Sequence, residues 1–314
     1  MNNNTKKTPQ VSVIIPNYNH SNFLNQRIES VLNQTYVEFE VIILDDSSTD
    51  SSMDIINKYE NDKHISQIVK NSENSGSTFI QWKKGFEIAK GDLIWIAESD
   101  DACEFTFLQE LVGEFAKDEK VVLAFCKSVK IDINGNIIGE AGMKHSFHMN
   151  GKAFIDNYLY RYNYIQNASS VIFKKEILNE VDLKYTTFRG SGDWIFWVEI
   201  SKCGNVAYVN KPLNYFRIHG ANTTTVELHS GRNEAEAISV YQFLRKKKYI
   251  GYKKELRERI AHIYSIRYGK LHKVLDKEKK KELLKGWGGN IPLYVFTWFI
   301  HILQRFIGSR IIKR

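Results

Sequence analysis

The chain has 314 residues, 43% of them hydrophobic, and a formal net charge of +8, which excludes global disorder and gives enough apolar content for one large domain with an appendage. Cys103, Cys126 and Cys203 are far apart and form no CxxC pair, so neither a cysteine zinc site nor a disulfide framework is expected, and a reducing cytoplasm is the natural compartment. Residues 1–10 are polar and read as a frayed tail, with neither a signal peptide nor a membrane span.

Val11-Ser12-Val13-Ile14-Ile15-Pro16 reads as a β-branched first strand ended by proline. After the loop Asn17-Tyr18-Asn19-His20, Ser21 or Asn22 caps a helix with Phe23, Leu24, Ile28, Val31 and Leu32 at helical spacing. Phe39 to Leu44 is the second strand, ending in Asp45-Asp46-Ser47-Ser48-Thr49-Asp50 before a helix through Tyr59. A third strand is expected at 65–70, a turn at Asn74-Ser75-Gly76-Ser77 and a helix from Thr78 to Ala89, with Gly91 as its C-cap glycine.

Leu93-Ile94-Trp95-Ile96-Ala97 is apolar on both faces, as in a central strand covered by helices. It stops at Glu98-Ser99-Asp100-Asp101, at the strand end where open α/β sheets bind ligands. Three acids in four positions repel one another, and a hard cation such as Mg²⁺ or Mn²⁺ carrying a phosphorylated substrate relieves that repulsion. The same residues also suit a helix cap before Glu104. Strand–helix alternation implies a mostly parallel sheet flanked by helices, a Rossmann-like α/β architecture. It lacks both GxGxxG after the first strand and GxxxxGK[ST] anywhere.

Further along, a strand is expected at 121–126, a hairpin through Asn134-Gly135 and another strand at 167–173, leading into a helix from Lys174. Arg189-Gly190-Ser191-Gly192 precedes Asp193 and a helix from Trp194 to Ile200. Helical periodicity then covers 235–249 and 253–285, followed by the apolar stretch 291–307. From Arg245 to Arg314 there are 20 Lys+Arg against 5 Asp+Glu, a balance of +15, whereas residues 1–244 carry −7. The last apolar stretch is marginal for a span, and an interfacial amphipathic helix beside polybasic flanks is expected, at an anionic membrane surface. No nucleic-acid module is present, so nucleic acid is not an expected partner.

Val13 to Asn19, Leu44 to Asp50, Ala89 to Asp101 and Gly192 to Trp197 together resemble family-2 glycosyltransferases of the A-type fold, in family order and spacing. Tyr215-Phe216-Arg217-Ile218-His219-Gly220-Ala221-Asn222-Thr223 is a weaker echo of that family's end-of-domain pattern. The resemblance implies a catalytic domain over 11–225, with a helical basic extension over 226–314. It implies an inverting transfer from a nucleoside-diphosphate sugar, UDP or dTDP favoured, to a glycan or lipid-linked acceptor, with Mn²⁺ or Mg²⁺.

It assigns Asp193 as general base and Pro16, Tyr18, Asp46, Glu98, Asp100, Lys83 and Arg217 to the donor. Asp100, Asp101 and His219 are the expected metal ligands. Tyr18 also reads as an ordinary loop aromatic, Asp46 and Asp193 as helix caps, and His219 as a histidine with no ligand role. Glu98 stands where many relatives have Asp, and Lys83 falls near where many have Arg-Asn; lysine lacks arginine's fork. A nucleotide-sugar-binding protein without turnover, acting in assembly, is the alternative, and a nucleotidyltransferase fits less well because the phosphate loop is absent.

Overall fold

The computed structural model describes residues 10–220 and 231–307. The N-terminal tail before Gln10, the motif residues Ala221, Asn222 and Thr223, and the basic residues Arg310, Lys313 and Arg314 lie outside them. The chain divides into two compact units, Met1–Ile155 with Asn163–His219, and Asp156–Tyr162 with Gly220–Arg314.

The first unit alternates as its apolar periods require. β1 (Val11–Asn17), α1 (Ser21–Leu32), β2 (Phe39–Asp45), α2 (Ser52–Ile56), β3 (Ile65–Lys70), α3 (Thr78–Ile88) and β4 (Leu93–Ile96) come first. β5 (Ala102–Cys103), α4 (Phe107–Lys117), β6 (Val121–Ile131), β7 (Ile137–Ala141), β8 (Phe147–Asn150), α5 (Gly151–Phe154), β9 (Val171–Lys174), α6 (Gly192–Ser201) and β10 (Asn205–Arg217) follow. The sheet order is β3-β2-β1-β4-β9-β6-β10-β5, with β7 on β6 and β8 on β10.

The first four strands run parallel, and β9 is antiparallel to both β4 and β6, so the second half of the sheet is mixed. β1, β2 and β4 are buried on both faces, as their unbroken apolar runs dictate.

Two local expectations need correction. β1 does not end at Pro16. It continues to Asn17 opposite Asp45 of β2, while its pairing with β4 stops at Ile14. Even-numbered residues of β1 point their polar groups at β4, as Gln10 and Ile14 do in accepting from Leu93 and Ala97. The missing N–H of Pro16 therefore falls on the side where the ladder has already ended. Gly91 is not a helix cap, because Ala89, in extended backbone, closes α3. It is glycine because a Cβ there would lie 2.6 Å from the backbone nitrogen of Ser12.

The second unit is helical: α7 (Arg232–Lys246), α8 (Tyr252–Tyr268), α9 (Lys270–Val274), α10 (Lys277–Gly286) and α11 (Ile291–Ile307). The continuous helical period expected over 253–285 is broken at Gly269 and again after Val274. Periodicity carried across those breaks because each short helix keeps its leucine inward: Leu271, Leu275 and Leu283 are all buried. Its polar core is Glu234, which accepts from His262 Nδ1 at 2.5 Å and Trp287 Nε1 at 2.8 Å, with the His262 ring stacked on Trp287 at 4.1 Å. Among the described residues no helix is long and apolar enough to cross a membrane.

Candidate active site

The loops after β1 and β2 are stitched together by short polar side chains. Asn17 donates its amide to Asp45 at 2.9 Å, and Asp45 also accepts from Ser48 N at 3.0 Å. Asn19, in the left-handed region at φ 56°, accepts from Thr49 N at 2.8 Å. Tyr18 stands above this seam with 46% of its surface exposed, so a face is available for stacking. Asp46 is buried, and its carboxylate accepts from Asn71 Nδ2 at 2.6 Å, Gln81 Nε2 at 2.8 Å, Ser75 N at 2.9 Å and Ser75 Oγ at 2.7 Å. It is the post on which the 71–81 loop is hung.

The acidic turn follows β4 and its three carboxylates have separate fates. Glu98 accepts from the Trp82 indole at 2.9 Å, and burial, reinforced by Asp100, pushes its carboxyl up to about 8. Asp101 is fully buried and points into the protein. It accepts from Ser169 Oγ at 2.6 Å, Asn167 Nδ2 at 2.8 Å and Arg217 N at 2.9 Å, and burial together with Asp100 raises it to about 6.

Asp100 lies 2.9 Å from His219 Nε2. Burial works against its charge, yet the His219 bond and the neighbouring His20 hold it below the usual carboxylate range. His20 sits edge-on to His219 at 5.7 Å, with Nδ1 2.8 Å from Ser99 Oγ, and burial lowers its pKa.

His20, Asp100 and His219 offer one ligand atom each, all within 4.8 Å of one another. One carboxylate and two imidazoles make a donor set that fits a first-row divalent ion better than Mg²⁺. Asp101 is not in this group. His20 was missed in the sequence because it follows the Asn17-Tyr18-Asn19 loop 199 residues before His219.

Two arginines support the turn. Arg27, fully buried in α1, donates Nε to Glu98 O at 2.9 Å and sets Nη2 3.9 Å from Asp101. Its signal in the sequence was a charged residue on the inward stripe between Leu24, Ile28 and Val31. Arg217 is 2% exposed, and its guanidinium donates to Asp100 O at 2.8 Å, Asp132 O at 3.0 Å and Gln26 Oε1 at 2.6 Å. The donor contact expected for Arg217 gives way to a clamp on the acidic turn. Arg217→Ala is therefore expected to cost about 3 kcal/mol or more in denaturant unfolding, through orphaned carbonyls. A residue serving only the donor would leave stability unchanged.

Lys83 is also displaced from its expected place. It is half-exposed, sits 3.8 Å from Glu87, and lines a groove with Lys90, Asp92 and Leu93, at the opposite end of β4 from the acids. The helical turn decides this: Gln81 and Trp82 face inward, which swings Lys83 out.

Asp193 occupies the first turn of α6, where it accepts from Asn163 Nδ2 at 2.7 Å and Trp194 N at 2.8 Å. The rest of α6 is buried, so the acid is carried on a core helix. Aromatic contacts join it to the acidic turn: Trp82 packs edge-on to Phe79 at 4.9 Å, and Phe79 meets Tyr185 at 6.2 Å. Gly192 lies against both, and a Cβ there would come within 2.4 Å of Tyr185 O and 2.7 Å of the Phe79 ring. Gly192→Ala should lower stability by about 1–3 kcal/mol, read as a Tm drop, by overpacking this joint.

Comparison with known proteins adds the following. The family model described as glycosyl transferase family 2 matches residues 12–181. The chain is 29% identical over 234 residues to an uncharacterized glycosyltransferase of Nostoc sp., covering 73% of this chain and 71% of that protein. It is 27% identical over 227 residues to chondroitin synthase of Escherichia coli, covering 71% of this chain but only 31% of the synthase. Among solved structures, S. aureus TarS 1-349 in complex with UDP-GlcNAc superimposes with a TM-score of 0.60 at 16% identity, over 92% of this chain and 90% of that one.

Proposed function

The chain belongs to glycosyl transferase family 2, and on that premise we propose that it moves one sugar from a nucleoside-diphosphate sugar to a hydroxyl of a glycan or lipid-linked acceptor, with inversion. The observation that carries this reading is the trio His20, Asp100 and His219 at the carboxyl end of the central strand, with ligand atoms within 4.8 Å. A divalent ion held there, Mn²⁺ in preference to Mg²⁺, supplies charge stabilisation for the leaving diphosphate.

The protein's own residues do the rest. Tyr18 offers a face to the nucleobase and Asp46 a fixed carboxylate beside it. Trp82 orients Glu98 toward the donor ribose. Asp193 takes the proton of the acceptor hydroxyl as that oxygen bonds to the anomeric carbon, while the bond from that carbon to the diphosphate oxygen breaks. One base and one displacement give inversion. The sugar product should carry the anomeric configuration opposite to the donor's, read from its proton couplings; retention overturns the assignment of Asp193.

The UDP-GlcNAc complex of TarS supports a UDP-sugar as the first donor to try. The E. coli chondroitin synthase supports a glycan as acceptor. The basic second unit supports a cytoplasmic enzyme held peripherally at the inner face of the cell membrane, where surface polysaccharide precursors are met.

A further inference from the structure

α11 has no charged residue from Ile291 to Gln304, and its two sides differ sharply. Its inner side is tied to α8. Thr297 and Ile300 are buried, Arg267 donates to Tyr294 O at 2.6 Å and Thr297 Oγ1 at 3.0 Å, and His301 stacks on Tyr268 at 4.3 Å. Its outer side presents Ile291, Val295, Phe296, Trp298 and Phe299, each 48% to 77% exposed. At about 3.6 residues per turn these five fall within one arc of roughly 160°. A contiguous apolar face of this kind marks an interaction surface, unlike scattered surface hydrophobics.

Charge and length select the occupant. The apolar face lies in a stretch, Arg245 to Arg314, that carries +15. Pairing two copies through α11 would bring two such stretches together, whereas an anionic bilayer attracts both the lysines and the apolar face. Seventeen residues of helix reach about 26 Å, short of the roughly 30 Å hydrocarbon core, so the helix lies in the plane of the surface. Tryptophan is favoured at that depth.

We propose that α11 is an interfacial anchor that seats the chain on an anionic phospholipid surface through Ile291, Val295, Phe296, Trp298 and Phe299. This rests on the membrane reading above and gives it a residue-level device, independent of the sugar chemistry.

The test is flotation of the full chain with vesicles of phosphatidylglycerol and phosphatidylcholine, or of phosphatidylcholine alone, for wild type and the double variant Trp298→Ser, Phe299→Ser. Both side chains are exposed, so the variant should keep its Tm. Wild type should float with the anionic vesicles, less with the neutral ones and less at high salt. The variant should partition roughly 100-fold less, from two aromatic side chains no longer buried. Donor hydrolysis without vesicles should be equal in the two proteins, which separates failure of the anchor from failure of the transferase reading. The proposal is overturned if wild type does not float, or if the variant floats equally, leaving basic charge alone as the cause. It is also overturned if wild type sediments as a dimer that the variant converts to monomer, making a second copy the occupant.

Discussion

Asp193→Asn should lower kcat by ~10²–10⁴-fold and leave donor affinity nearly unchanged. The substitution is nearly isosteric. Its carbonyl oxygen can still accept from Trp194 N or Asn163, so the start of α6 keeps its geometry. What it removes is a proton acceptor, and only the transition state needs one. The split between kcat and donor binding is therefore diagnostic, because a residue that merely caps α6 would alter Tm and leave turnover per folded molecule intact. Donor binding by calorimetry and turnover with an acceptor glycan read the two quantities separately. Unchanged turnover would remove Asp193 from the mechanism.

The second large effect is expected at the ion site, where geometry and sequence motif disagree about the third ligand. Asp100→Asn should weaken Mn²⁺ binding by ~100-fold or more, since even supporting residues around a metal are worth about 10–100-fold. His20→Ala should weaken it as well. Asp101→Asn should leave Mn²⁺ binding in place and instead lower stability, because that carboxylate sits among Ser169, Asn167 and the Arg217 amide. Titration of Mn²⁺ followed by electron paramagnetic resonance separates these cases. If Asp101→Asn abolishes binding while His20→Ala spares it, the motif reading prevails over the trio seen here.

The parts of this molecule that local pattern determines were legible in the sequence. The runs at Val11–Ile15, Phe39–Leu44 and Leu93–Ala97 are apolar on both faces, so central strands could be placed, and their acidic ends named the side on which the site lies. β9 was visible as a strand, but its antiparallel direction between β4 and β6 was not, because direction depends on the path of the long excursion from 132 to 170. Arg217 looked like a donor contact because a basic residue near two acids attracts that reading. Its actual targets, the carbonyls of Asp100 and Asp132, are backbone atoms that no motif displays. Trp82 was in view throughout, yet its bond to Glu98 depends on which face of α3 turns inward, and a rotation of one residue would have sent Lys83 there instead.

The most direct test of the central claim is donor hydrolysis across a panel of nucleotide sugars, with Mn²⁺, Mg²⁺ or EDTA, on wild type and Asp100→Asn. The expected result is one donor, a UDP-sugar first, slowly hydrolysed by wild type with Mn²⁺, less with Mg²⁺, and neither in EDTA nor by the variant. Hydrolysis that proceeds equally in EDTA, or is untouched in the variant, would contradict a transferase whose ion is held by His20, Asp100 and His219.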